Sequence, residues 1–125
     1  MDAETRKQTV RKFFEVLDAG EADAALAFTT GNPDFLIFNN PFPGGTRGFC
    51  GLSKSVLSEG PHREYTAQFV DGETVLSQVT VRGTTMKGEV YENYYLIICT
   101  FKGDKIDHIQ EYNDSAYAHA KFGLG

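Results

Sequence analysis

In the first part of the chain, hydrophobic residues recur with the period of an α-helix. Between Thr5 and Ala19 the apolar residues are three or four positions apart, and basic side chains fall on the opposite side. This pattern predicts an amphipathic helix over residues 5–19. Its buried face is predicted to contain Val10, Phe13, Phe14 and Leu17.

Two further helices and one strand are predicted before the pattern changes. The acidic, alanine-rich segment 21–29 favours a short second helix. Residues 35–38 are apolar on both alternating faces, which indicates a strand that is covered on both sides. A third helix is predicted over residues 49–59, where Gly60 and Pro61 are expected to end it.

The hydrophobic period changes to two after Pro61. Short turn signals such as the Asp71-Gly72 pair separate segments that are rich in β-branched and aromatic residues. The predicted strands cover residues 64–70, 74–82, 89–101 and 105–114. Helices followed by a four-strand antiparallel meander predict the α+β class, in which the helices cover one face of the sheet.

Within the predicted strand 89–101, residues 90–101 are largely apolar on both faces. One face carries Tyr91, Asn93, Tyr95, Ile97, Cys99 and Phe101, and the other carries Val90, Glu92, Tyr94, Leu96 and Ile98. Because helices can cover only one of these faces, the other needs a different cover. A second copy of the sheet is the economical candidate, so we expect a homodimer through the outer sheet face.

Charge and composition argue against several kinds of partner. The net charge of -5 comes from 17 acidic and 12 basic residues without a block of like charges, so nucleic acid is not an expected partner. The sequence contains no apolar run as long as a membrane span, and its N-terminus is too polar for a secretory signal. We therefore expect no membrane partner and a cytoplasmic location.

The cysteines and histidines do not form a recognisable site in the sequence. Cys50 and Cys99 stand alone and are interpreted as small core residues. His62, His108 and His119 lie in separate predicted elements without the spacing of metal ligands. We expect neither a metal nor a cofactor.

Three segments carry a family resemblance. VRKFFEVLDAGEADAALAF, FLIFNNPFPGGTRG and FKGDKIDHIQEYNDSAYAH resemble the ketosteroid isomerase and SnoaL-like polyketide cyclase branch of the nuclear transport factor 2-like superfamily. The resemblance covers nearly the whole chain in element order and implies a single domain over residues 1–125. It implies a curved antiparallel sheet that wraps three N-terminal helices into a cone, whose mouth admits a small, mostly apolar molecule.

The resemblance also implies which side chains face the interior of the cone. Asn40 is expected at the rim and Phe13 on the first helix, and Tyr91 is a further candidate for ligand contact. The strand residues expected to point inward are Asn93, Tyr95, Ile97, Ile109, Glu111 and Asn113.

Two reactions of related families are not expected. Asn40, Phe13 and Ile97 occupy the positions that resemble the base and the two oxyanion donors of ketosteroid isomerases, and none can perform those roles. Limonene-type epoxide hydrolysis uses an arginine between two aspartates. The positions expected to face the cavity contain no arginine and only one carboxylate, Glu111.

Glu111 is the candidate general base. A carboxylate surrounded by apolar residues would lose hydration, which raises its pKa, and Tyr95 or Tyr91 could donate a hydrogen bond to an oxyanion. This combination favours acid-base chemistry on an apolar carbonyl compound. Two alternatives remain open: Glu111 has a structural role, or the protein is a non-catalytic ligand-binding or dimerisation module.

Three loop and terminal features complete the candidate list. Asn39 and Asn40 follow a buried strand, and one of them is expected to face the cavity mouth while the other turns the chain. Arg47 and Asp114 are weaker candidates for contact with a ligand. The segment after Asp114, which contains Tyr117 and Phe122, is expected to form a lid over the mouth or to extend the dimer contact.

Overall fold

The computed structural model describes residues 1–123, which form five helices and six strands. The helices are α1 (Ala3–Asp18), α2 (Ala22–Leu26), α3 (Gly45–Phe49), α4 (Leu52–Val56) and α5 (Ser115–Phe122). The strands are β1 (Phe35–Ile37), β2 (Asn40–Pro41), β3 (Leu57–Asp71), β4 (Thr74–Thr85), β5 (Val90–Lys102) and β6 (Lys105–Asn113).

The six strands form one curved, unclosed sheet in the order β2-β1-β6-β5-β4-β3. Strands β3 to β6 form the antiparallel meander that the sequence predicts, and β1 joins it in parallel beside β6. The N-terminal helices pack against the concave face. The α+β class and the curved sheet around N-terminal helices are therefore confirmed.

Helix α1 supplies the centre of the core. Asp2 caps its N-terminus by accepting a 2.7 Å hydrogen bond from the backbone N–H of Thr5. The rings of Phe13 and Phe14 meet edge to face with centroids 5.0 Å apart, and Phe14 contacts Phe35 of β1 in the same way at 6.4 Å. These contacts pack α1 against β1 in the hydrophobic core.

The predicted third helix over residues 49–59 is wrong. Only the five-residue helix α4 lies inside this segment, since α3 ends at Phe49, and β3 begins at Leu57 and continues through Pro61. Register shifts occur in β3 on both sides of Glu59, where a Cβ atom on the facing Gly83 would lie 2.6 Å from the Glu59 carbonyl oxygen. Because Gly83 has no side chain, β4 can approach β3 closely at Glu59, so β3 continues through its irregular stretch. In the sequence, Gly60 and Pro61 of this stretch look like the end of a helix.

The strand that ends in two asparagines is one residue shorter than predicted. Strand β1 ends at Ile37, and Phe38 takes a left-handed conformation with φ 58° as the chain turns back into β2. The Asn39 side chain accepts a 3.1 Å hydrogen bond from Gln110, whereas Asn40 lies on the wall of a cavity. The side chains of the two asparagines therefore have different surroundings, and contact of Asn40 with a ligand stays a prediction.

Candidate functional site

The concave side of the sheet encloses a cavity of about 650 Å³. Its wall is mainly apolar, and α5 contributes to it together with β1, α3, α4 and the sheet. The apolar part includes Ile37, Phe38, Phe42, Phe49, Leu52, Val56, Leu57, Val81, Ala118 and Phe122. The polar side chains of the wall include Asp18, Arg63, Tyr91, Tyr95, Glu111 and Asn113.

Glu111 is a buried carboxylic acid on this wall. Its residue is 3% exposed, on β6 between Ile37 of β1 and Ile97 of β5. Oε2 accepts a 3.0 Å hydrogen bond from the Asn113 amide, and Oε1 is buried without a hydrogen-bond partner. Burial raises the pKa of Glu111, although the charge of Arg63 and the hydrogen bond from Asn113 act in the opposite direction.

Two tyrosines form a hydrogen-bonded pair beside Glu111. The hydroxyl oxygens of Tyr91 and Tyr95 are 2.7 Å apart, and the Asn93 amide donates a 3.0 Å hydrogen bond to the Tyr91 hydroxyl. With Tyr91 donating in turn to Tyr95, the proton of Tyr95 is left for a ligand. Burial raises the pKa of both tyrosines, and the nearby Glu111 carboxylate raises that of Tyr95 further.

The cavity also contains an ion pair that the sequence analysis missed. Arg63 of β3 donates from Nε and Nη2 to the Asp18 carboxylate at 2.7 and 3.1 Å, and the two side chains are 10% and 13% exposed. The Phe14 ring lies 4.5 Å from the guanidinium carbon. Burial lowers the pKa of Arg63, but the charge and hydrogen bonds of Asp18 outweigh this effect and raise it overall.

The ion pair corrects the expectation of a cavity with one carboxylate and no arginine. Arg63 was missed because β3 was predicted to begin at residue 64, which left Arg63 in a loop. Asp18 was missed because it ends a helix, where an acidic residue usually faces water. Asp18 follows Phe14 by four residues and therefore lies on the same face of α1 as this buried ring. That spacing is the signal in the sequence that could have identified it.

The other candidate residues fall into three groups. Asn40 lies on the cavity wall and is exposed at the rim, and Asn113 is half-buried on the wall next to Glu111. The structure places four candidates in the core and not on the cavity wall, namely Phe13, Asn93, Ile97 and Ile109. Arg47 pairs with Asp23 on the surface, and Asp114 caps α5 by accepting a hydrogen bond from the Tyr117 backbone.

Helix α5 covers one side of the cavity. Phe122 stacks on the Tyr91 ring with centroids 4.6 Å apart, and Tyr117 contacts the same ring at 5.5 Å. Ala118 and His119 also contribute to the wall. Within residues 1–123 the structure contains no group of three His, Cys, Asp or Glu side chains arranged to bind a metal ion.

The family model for the SnoaL-like domain matches residues 10–109. The chain belongs to the SnoaL-like family. No curated protein matches this SnoaL-like chain closely enough to serve as a relative. Within residues 1–123, no helix is long and apolar enough to cross a membrane.

Solved structures share the SnoaL-like fold at low sequence identity. An NTF2-like protein of unknown function from Burkholderia pseudomallei has a TM-score of 0.79 at 14% identity, with 98% of each chain covered. PrhC from Penicillium brasilianum has a TM-score of 0.76 at 19% identity, covering 94% of this chain and 85% of PrhC. TerC, crystallised with polyporic acid, has a TM-score of 0.78 at 12% identity, covering 95% and 98%.

Burial of Glu111 predicts a pH dependence of stability. The raised pKa means that the folded state retains a proton above the ordinary value of 4.5, where the unfolded chain has lost it. The free energy of unfolding should therefore fall as pH rises from about 4.5 through the folded pKa of Glu111. Glu111→Gln should remove this decline in urea unfolding measured across that range. Equal slopes in the two proteins would contradict a raised pKa.

Proposed function

We propose that this SnoaL-like protein is a cofactor-independent acid-base enzyme that acts on a mainly apolar carbonyl compound. The observation that carries the proposal is the buried Glu111 carboxyl, whose Oε1 has no protein partner at the wall of an apolar cavity. A buried polar atom without a partner costs free energy. That cost is consistent with an atom kept available for a ligand.

Glu111 has the environment of a general base. Its raised pKa brings it nearer to neutral pH, where a carboxylate accepts a proton more strongly than an exposed glutamate does. Asn113 holds Oε2 and thereby fixes the orientation of Oε1. In the proposed reaction Oε1 removes a proton from the carbon next to the substrate carbonyl, and the protonated acid later returns it to the same or another carbon.

Tyr95 is proposed to hydrogen-bond the substrate oxygen. Its hydroxyl is at the end of the chain that runs from Asn93 through Tyr91, so its proton is available when Tyr91 donates to it. A tyrosine with a raised pKa stays protonated at neutral pH and remains a donor. Asn40 at the rim is proposed to contact a polar substituent of the ligand.

The size and lining of the cavity favour a compact apolar ligand. About 650 Å³ lies within the usual range for small-molecule sites, and the wall combines many apolar side chains with few polar groups. The crystallisation of TerC with polyporic acid supports small-molecule binding by this fold. The alternative, a non-catalytic binding protein, uses the same cavity and differs only in the absence of turnover.

The role of Glu111 is tested by proton exchange on a simple apolar ketone. The wild-type protein should accelerate deuterium incorporation into 2-tetralone in D₂O, followed by proton NMR. Glu111→Gln should lower the enzymatic rate by about 100-fold or more, because an amide is not a base of useful strength. Glu64→Gln, on the exposed side of β3, is the matched control and should retain the rate. Exchange that persists in Glu111→Gln would exclude this base, and a wild-type rate equal to buffer would favour the non-catalytic alternative.

Tyr95 is tested by the same exchange reaction. Tyr95→Phe should lower the rate by about 10- to 100-fold while the ketone still binds, because one hydrogen-bond donor to the substrate oxygen is removed. Tyr94→Phe changes the adjacent tyrosine, which is 62% exposed on the outer face, and should have no effect. An unchanged rate in Tyr95→Phe would remove the tyrosine from the proposed mechanism.

The outer sheet face supports a proposed homodimer. Large apolar side chains are exposed there, with Phe69 and Tyr94 each 62% and Leu96 45% exposed. These side chains are exposed in a single chain, and a second copy of the sheet would cover them. Sedimentation should give a dimer for the wild-type protein and a monomer for Leu96→Arg. A monomeric wild-type protein at micromolar concentration would contradict the dimer.

A further inference from the structure

Two charged side chains of the cavity wall each leave one buried atom without a protein partner. These atoms are Nη1 of Arg63, a donor, and Oε1 of Glu111. Arg63 is on β3 at one edge of the sheet, and Glu111 is on β6, with β4 and β5 between them. The curvature of the sheet brings both to one cavity, close enough for the charge of Arg63 to influence the pKa of Glu111.

The position of Arg63 is fixed independently of any ligand. Asp18 binds its Nε and Nη2 side-on, and the Phe14 ring contacts its guanidinium plane. These contacts use one edge and one face of the group and leave the buried Nη1 without a hydrogen-bond partner. A charged donor that is held rigidly in an apolar cavity is well suited to bind an oxygen atom that gains negative charge during a reaction.

Building on the proposed function, we infer that Arg63 is the main oxyanion donor and that the substrate is a neutral carbonyl compound, not a carboxylate. The substrate oxygen accepts from Nη1 while Oε1 of Glu111 takes the proton from the adjacent carbon. The electrons of the broken C–H bond form the new carbon–carbon double bond, and the carbonyl π electrons move to the oxygen beside Arg63. Return of the proton from Glu111 to carbon reverses these changes.

The charges of the cavity wall explain why the substrate is neutral. Within the described residues, its Asp, Glu, Lys and Arg members are Asp18, Arg63 and Glu111. His119 is exposed at the rim, and the titratable tyrosines of the wall, Tyr91 and Tyr95, remain uncharged at neutral pH. Asp18 cancels the charge of Arg63, so an ionised Glu111 leaves the wall with one net negative charge.

This net charge disfavours a ligand that is already an anion, but it does not disfavour an anion that forms from a neutral ligand in the site. A carboxylate ligand would add a second uncompensated negative charge when Glu111 is ionised, which low-dielectric surroundings oppose. An enolate forms only when Glu111 accepts the proton and becomes neutral. The net charge of the occupied site is therefore the same before and after proton transfer.

Binding of three naphthalene probes tests the inference without turnover. At pH 7, 2-naphthol can accept from Arg63 and donate to Glu111, 2-methoxynaphthalene lacks the donor, and 2-naphthoate is an anion of similar size. Calorimetry should show that the wild-type protein binds 2-naphthol most tightly and 2-naphthoate at least about tenfold more weakly. Asp18→Asn should raise the affinity for 2-naphthoate by about tenfold, because the positive charge of Arg63 is then no longer compensated by a carboxylate.

The exchange of 2-tetralone tests the role of Arg63 in the reaction. Arg63→Gln should lower the exchange rate by about 100-fold, as loss of an oxyanion donor does. This change leaves Asp18 buried without its partner, so the double variant Asp18→Asn/Arg63→Gln provides a second protein without that defect and should show the same loss. Arg82→Gln removes an arginine that pairs with Glu64 and Glu92 on the outer face, and it should retain the rate. Circular dichroism and thermal unfolding identify variants that fail to fold.

The outcomes separate this inference from the proposed function. Loss of exchange in Glu111→Gln but not in folded Arg63 variants would overturn the role of Arg63 and leave the base intact. Exchange that is independent of Glu111 would remove the base, and the probe affinities would then decide the ligand class alone. Wild-type preference for 2-naphthoate, or an affinity for it that Asp18→Asn does not raise, would overturn the neutral substrate.

Discussion

The buried ion pair between Asp18 and Arg63 is the interaction on which the architecture of the cavity depends. It joins the last turn of α1 to β3, the edge strand that is farthest from β1. Loss of one partner from such a pair costs about 3–5 kcal/mol, because the remaining charge is buried without compensation. The pair thus links the helix to the far edge of the curved sheet and adds no net charge to the wall of the cavity between them.

The same burial gives the polar residues of the wall their chemical character. An apolar environment raises the pKa of Glu111 and keeps Tyr95 protonated, while Asp18 keeps Arg63 charged. The wall therefore combines an acceptor of protons with donors to oxygen in one cavity, and no group of three metal ligands occurs among residues 1–123. The buried atoms without a partner at Glu111 and Arg63 reduce stability. The proposed function accounts for this cost, because it assigns both atoms to a ligand.

The sequence was informative where a pattern repeats and uninformative where the backbone is irregular. The period of α1 and the alternation of β5 and β6 predicted the helix and the meander. Alternation did not say which face of β6 is inward, and the expectation that Glu111 faces the cavity came from the family resemblance. The prediction failed at residues 49–63, since Gly60 and Pro61 look like a helix stop but lie in β3 beside the close approach of Gly83 to Glu59. Arg63 was lost with that error. The contact between Asp18 and Arg63 joins residues 45 positions apart, and neither local propensity nor alternation reports such a pairing.

The most direct measurement is the pKa of Glu111 in the folded protein. The side-chain carboxyl carbon can be followed by NMR during a pH titration, with its signal assigned by its absence in Glu111→Gln. A midpoint clearly above the ordinary value of 4.5 would establish the buried carboxyl that the proposed base requires. A midpoint at or below that value would show that the group is hydrated or held as an ion, and would contradict the account of the site.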